Sequence, residues 1–119
     1  MKKIISLVFA VIILIGMFTG CAKNDKVLTL NVYNWGEYIS DGSDGSLNVN
    51  KEFEKYYYST YGQKVKVNYT TYASNEDMYN KLSSGATSYD VVVPSDYMIA
   101  RMIKEDMLLK LDYENIPNF

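Results

Sequence analysis

The sequence predicts an α/β fold built on a mostly parallel sheet flanked by helices. Three observations predict it. Segments with strand and helix periodicity alternate as β-α-β-α-β-α, the order of parallel strands joined by helical crossovers. The third strand segment, Tyr89-Asp90-Val91-Val92-Val93, is a β-branched run, as expected of a strand buried on both faces. Turn chemistry punctuates the order at Gly62, Gly85 and Pro94.

Taken in order, Leu28–Tyr33 alternates apolar and polar residues and reads as the first strand. Asn34-Trp35-Gly36-Glu37-Tyr38 leaves it, and Asp41 to Ser46 is a glycine- and serine-rich loop. Its offsets resemble a calcium loop, but the position needing a central glycine holds Ser46, so calcium is not expected there. Val49, Phe53, Tyr56, Tyr57 and Thr60 recur at helical spacing over about 47–61, and Gly62 follows as a C-cap. Val65, Val67 and Tyr69 alternate as a second strand. Ser74 with Asp77 three residues on predicts a helix start, with Met78, Tyr79 and Leu82 on one face and Gly85 at the end. After the 89–93 strand, Ser95 or Asp96 caps a helix over 97–106 carrying Ile99, Met102 and Ile103. Leu108–Leu111 is expected to begin a further strand.

The leading segment fixes the compartment. Met1-Lys2-Lys3 is basic, Ile4 to Phe18 is almost unbroken apolar chain, and Thr19-Gly20 precedes Cys21. These are the parts of a secretory signal. A cysteine directly after small residues resembles the lipobox of bacterial lipoproteins, so residues 1–20 are expected to be removed and Cys21 to carry lipid. Phe18 departs from the aliphatic residue usual in that motif. An uncleaved spanning anchor is the alternative, but the run is short for the roughly 20 apolar residues of a span. It is also interrupted by Ser6 and Gly16. Both readings put the rest of the chain on the outer face of the bacterial cytoplasmic membrane. Residues 21–27 then read as a tether. A redox or metal role for Cys21 lacks partners, because the chain has one cysteine and no histidine.

Composition narrows the function. The net charge is −2 at pH 7, and the leader holds two of the basic residues, so the rest is more acidic still. Such a surface argues against nucleic acid and is compatible with a cationic ligand. No cofactor is indicated. Two segments sit at strand C-termini, where open α/β sheets bind ligands: Asn34–Tyr38 and Pro94–Tyr97. Each joins an aromatic, an acid and a small residue, a combination suited to an amine with methylene spacers. Structural roles, capping and core closure, are the favoured account of each segment by itself. An enzyme is not expected: there is no Gly-x-Ser-x-Gly elbow and no histidine.

Four segments together identify a family. Tyr33-Asn34-Trp35-Gly36-Glu37-Tyr38, Tyr69 to Leu82, Tyr89 to Tyr97 and Met102 to Leu108 resemble the spermidine/putrescine-binding proteins of bacterial polyamine ABC importers. The likeness covers most of residues 28–119. It implies a periplasmic-binding-protein-like fold of two hinged lobes, of which 28–119 is the N-terminal lobe, incomplete. It also implies a polyamine ligand, delivery to ABC transporter permease subunits, and ligand contacts from Trp35, Glu37, Tyr38, Ser95 and Tyr97. Gly36 stands where some relatives carry threonine, and the Asp41–Ser46 loop is longer than the shortest relatives carry. Another small organic solute, or a surface lipoprotein without a ligand, are the alternatives.

The leader yields a direct expectation. Cys21→Ser abolishes lipidation, so fractionated cells release the cleaved variant while the parent stays on the membrane. A cleaved variant that still sediments with membranes contradicts it.

Overall fold

A computed structural model describes residues 26–118. The 1–20 leader, Cys21 and the tether up to residue 25 lie outside the described residues. Three strands, β1 (Leu28–Trp35), β2 (Val65–Tyr72) and β3 (Val91–Val92), form a parallel sheet in the order β2-β1-β3. The helices are α1 (Val49–Tyr61), α2 (Asn75–Ser83) and α3 (Asp96–Lys104). β1 and β2 pair from Leu28 with Val65 to Trp35 with Tyr72. Parallel strands share one carboxyl edge, so Trp35 and Tyr72 end side by side.

Local chemistry sets the element ends. Asn48 caps α1 by accepting the Lys51 N–H at 2.9 Å, and Gly62 ends it in the left-handed region at φ 68. Only glycine adopts that conformation without strain. Ser74 Oγ accepts the Asp77 N–H at 3.1 Å and starts α2. β3 is shorter than the 89–93 run predicts. Its ladder continues as single bonds, from the Asp90 N–H to the Asn31 carbonyl (2.9 Å) and from the Val93 N–H to the Tyr33 carbonyl (3.1 Å). The Asp90 carboxylate accepts the Asn31 N–H at 2.7 Å, and this side-chain bond replaces regular pairing there. The expected strand at 108–111 does not form, and Leu109 is 96% exposed.

The core lies where α2 and α3 cover the sheet face that carries Tyr33 and Tyr72. It consists of those tyrosines with Met78, Met98 and Met102. The three methionines are the largest fully buried side chains among the described residues, and their unbranched thioethers fill irregular gaps between helix and sheet. On α3 the buried pair is Met98 and Met102, four residues apart. Ile99 and Ile103 face outward instead. α1 buries no residue fully. Its tie to the sheet is polar: the Glu54 carboxylate accepts the Val67 N–H at 2.8 Å and meets Lys66 Nζ at 3.4 Å. The backbone bond holds the Glu54 carboxyl below the usual carboxylate range, with the Lys66 charge assisting. The same bond occupies an edge-strand N–H that would otherwise invite another chain.

The two faces of the helices are separable by mutation. Met78→Ala empties a fully buried site and should cost about 2–5 kcal/mol. Ile103→Ala, on an exposed face, should stay within about 0.5 kcal/mol of the parent. Denaturant melts compare them, and equal losses would contradict this core assignment.

Candidate functional site

The carboxyl edge of the sheet is held by aromatic packing. Trp35 closes β1 with its ring 4.7 Å from that of its pairing partner Tyr72. Tyr72 meets Tyr33 edge to face at 4.9 Å, and Tyr33 stacks on Tyr89 at 4.4 Å. The Tyr72 hydroxyl donates to the Val93 carbonyl at 2.5 Å. It thereby ties the ends of β2 and β3 across β1. Burial pushes its phenol up to about 12, and the neighbouring Tyr33 phenol adds to this. Lys81 Nζ lies 4.9 Å from the Tyr33 ring centre and bonds the Tyr89 hydroxyl at 3.1 Å.

Beyond Trp35 the chain turns sharply. Buried Asn34 accepts the Trp35 N–H on its own side chain at 2.7 Å. Glu37 then takes φ 56, a left-handed conformation that costs a non-glycine residue about 1–2 kcal/mol. Strain of this kind gathers at functional sites. Gly36 is not the residue that needs to be glycine: its φ is ordinary, and an added Cβ would meet nothing within 4 Å. A threonine would fit there without backbone change.

Two concavities open at this edge. One, of about 540 Å³, is lined by Trp35, Gly36, Glu37, Thr71, Tyr72 and Ala73. The other, of about 590 Å³, lies against the Asp41–Ser46 loop and includes Glu37, Tyr38, Tyr69 and Thr71 in its wall. The structure therefore joins Trp35 with Glu37, and Glu37 with Tyr38, a residue 63% exposed. Ser95 and Tyr97 line neither concavity. They attach to the same edge through Asn75, which is buried at the start of α2. Its Nδ2 donates to Ser95 Oγ (3.0 Å) and to the Tyr97 hydroxyl (2.9 Å), and its Oδ1 accepts the Ser95 N–H (3.2 Å). The Tyr97 hydroxyl donates onward to Glu76 at 2.9 Å. Ser95 makes no side-chain cap to α3; Asp96 Oδ1 instead accepts the Tyr97 N–H at 2.7 Å.

Sequence reading missed Thr71, Tyr72 and Ala73 as wall residues, and Asn75 and Glu76 as the link to Ser95 and Tyr97. Only position could have found the first three, because they end the strand that pairs with β1. Asn75 gave no signal, since its partners lie 20 and 22 residues away. Chemically the edge offers ring faces, carboxylates and hydroxyl acceptors. That set recognises N–H donors carrying positive charge.

Comparison with known proteins agrees in fold and in kind. A family model described as hypothetical lipoprotein (MG045 family) matches residues 1–117. The putrescine-binding periplasmic protein SpuD of Pseudomonas aeruginosa is 37% identical over 106 residues, 89% of this chain and 26% of that protein. The spermidine/putrescine-binding periplasmic protein of Escherichia coli is 39% identical over 99 residues, 82% of this chain and 25% of that protein. Among solved structures, the spermidine/putrescine ABC transporter substrate-binding protein PotD from Streptococcus pneumoniae superposes with a TM-score of 0.56. It is 39% identical and covers 73% of this chain and 23% of its own. A putative spermidine/putrescine ABC transporter protein from Listeria monocytogenes gives 0.57 at 38% identity, covering 76% of this chain and 24% of its own. The fold is thus periplasmic-binding-protein-like, and the chain spans about a quarter of the length of the curated relatives it matches.

The Asn75 link is testable. Asn75→Ala takes the acceptor from the half-buried Ser95 N–H and leaves Tyr97 held by Glu76 alone, and should cost about 1–3 kcal/mol. Ser95→Ala should cost less, because Asn75 keeps the Ser95 N–H and Tyr97. Thermal unfolding of both variants checks the order, and the reverse order would contradict the network.

Proposed function

Because the chain belongs to the hypothetical lipoprotein (MG045) family, we propose that it is a lipid-anchored, extracytoplasmic solute-binding protein. Its solute is a polyamine of the spermidine/putrescine class, passed to the permease subunits of an ABC importer. Residues 1–20 act as the signal peptide, Cys21 as the lipid-bearing residue, 21–27 as the tether, and 28–119 as part of an N-terminal binding lobe. The protein binds without chemical conversion of its ligand. The observation that carries this reading is the carboxyl-edge concavity lined by Trp35, Tyr72 and the acidic residue Glu37, with the two rings 4.7 Å apart. It is supported by relatives named for the same ligands at 37–39% identity.

The mechanism follows from charge and packing. An ammonium beside Glu37 forms a charge-assisted hydrogen bond while its methylenes lie on the Trp35 ring. Tyr38 supplies a second exposed ring. Ser95 and Tyr97, held by Asn75, extend the acceptor surface toward α3. A single lobe leaves the far side of the ligand in water, where an ion pair contributes only about 0–1 kcal/mol. Closure of a second lobe would exclude that water and strengthen each contact.

Trp35 is the sole tryptophan, so its fluorescence reports on the site directly. Spermidine and putrescine should change it weakly but saturably in residues 22–119, and sodium chloride of equal ionic strength should not. Glu37→Gln should weaken the response. No response to either amine contradicts the reading. Tight binding by this segment would contradict the need for a second wall.

A further inference from the structure

We propose that the second concavity, walled by the Asp41–Ser46 loop, is an additional ammonium subsite that extends the amine site by one charged group. The inference rests on the polyamine reading and names the part of the ligand this loop would select. The two concavities share Glu37 and Thr71 as common walls. A ligand seated against Trp35 can therefore continue past Glu37 without leaving the protein surface.

The loop is built rather than loose. Asp41 and Asn48 pair as an antiparallel bridge, and Asn48 Nδ2 donates to the Asp41 carbonyl. The Val49 N–H bonds the Ser40 carbonyl at 3.1 Å. Gly42 sits at φ 95, and a Cβ there would come within 3.1 Å of the Asn48 Cβ. The loop is thus folded onto the start of α1, with Asp41 fixed at its mouth. Asp41 Oδ1 accepts the Ser43 N–H at 2.8 Å. That bond holds the carboxyl below the usual range, so Asp41 is a carboxylate at neutral pH.

The donor set selects an ammonium. Glu37 and Asp41 supply two carboxylates, and Tyr38, Tyr69 and Ser43 supply hydroxyls. The Tyr69 hydroxyl is buried without a hydrogen-bond partner among the described residues, a rare condition in folded proteins. A ligand N–H would satisfy it once the side chains covering the hydroxyl shift aside. Among the described residues no three histidine, cysteine or carboxylate side chains gather to hold a metal ion. Two carboxylates with surrounding hydroxyls match the three N–H donors of –NH3+ instead.

The experiment is an NMR titration of isotope-labelled protein, residues 22–119, with spermidine and with putrescine. The Trp35 indole N–H reports the first concavity and the Ser43 amide the second. Spermidine should shift both signals, and putrescine should shift Trp35 more than Ser43. Asp41→Asn keeps an oxygen for the Ser43 N–H, so the loop is preserved while the charge is lost. The apparent spermidine affinity read at Ser43 should then fall about threefold, with the Trp35 response to putrescine unchanged. Tyr69→Phe should weaken the Ser43 response as well. A Trp35 shift with a silent Ser43 amide, or an Asp41→Asn variant that matches the parent, overturns the subsite and leaves the polyamine reading standing. Silence of both signals with both amines overturns the two together.

Discussion

The hydrogen bond from the Tyr72 hydroxyl to the Val93 carbonyl is the constraint on which the carboxyl edge depends. Tyr72 ends the outer strand β2, Val93 follows the opposite outer strand β3, and the bond spans β1 between them. Its ring packs on Trp35 on one side and on Tyr33 on the other. One side chain thus sets the spacing of three strand ends and the attitude of the tryptophan in the first concavity. Aromatic pairs of this kind add about 0.5–1.5 kcal/mol beyond burial. The larger consequence is geometric, because a ring fixed by two neighbours and a hydroxyl bond has little freedom left to lose when a ligand arrives.

Asn75 provides the second tie. It begins α2 directly after the β2 edge and holds the start of α3 through Ser95 and Tyr97. The helices that cover the core are therefore joined at the same edge where the concavities open. Glu37 is the strained element of that edge, left-handed without being glycine. Glu37 lines both concavities.

The layered α/β fold was legible because it depends on local signals. Alternating periodicity, the Ser74 cap and the Gly62 terminator all stand where the sequence predicts them. What failed depended on partners distant in the chain. The expected strand at 108–111 has no neighbour to pair with among the described residues. The third strand shrank because the Asp90 side chain bonds Asn31. On α3 the apolar signal came from Ile99, Met102 and Ile103, yet only Met102 of these faces the core, beside Met98. Hydrophobicity alone does not choose between overlapping faces of a nine-residue helix. Of the candidate site, Trp35, Glu37 and Tyr38 were readable from their place at a strand end, although β1 runs two residues further than the expected Leu28–Tyr33 and takes in Asn34 and Trp35. The Thr71–Ala73 wall and the Asn75 bridge were not, since their roles arise only when β2 is laid beside β1.

The central claim is that Tyr72 is a buried, neutral bridge between strand ends, and its ionisation tests this most directly. The folded phenol is pushed up to about 12, above the ordinary value of 10.0. The folded state therefore keeps its proton where the unfolded chain has lost it. Stability from this group is complete below pH 10 and is lost as pH rises toward about 12. A spectrophotometric titration of tyrosinate absorbance, run with the Tyr72→Phe variant, separates this group from the other tyrosines. The account predicts one tyrosine ionising late, together with unfolding, and its absence from the variant. Identical titration curves for the two proteins would contradict it.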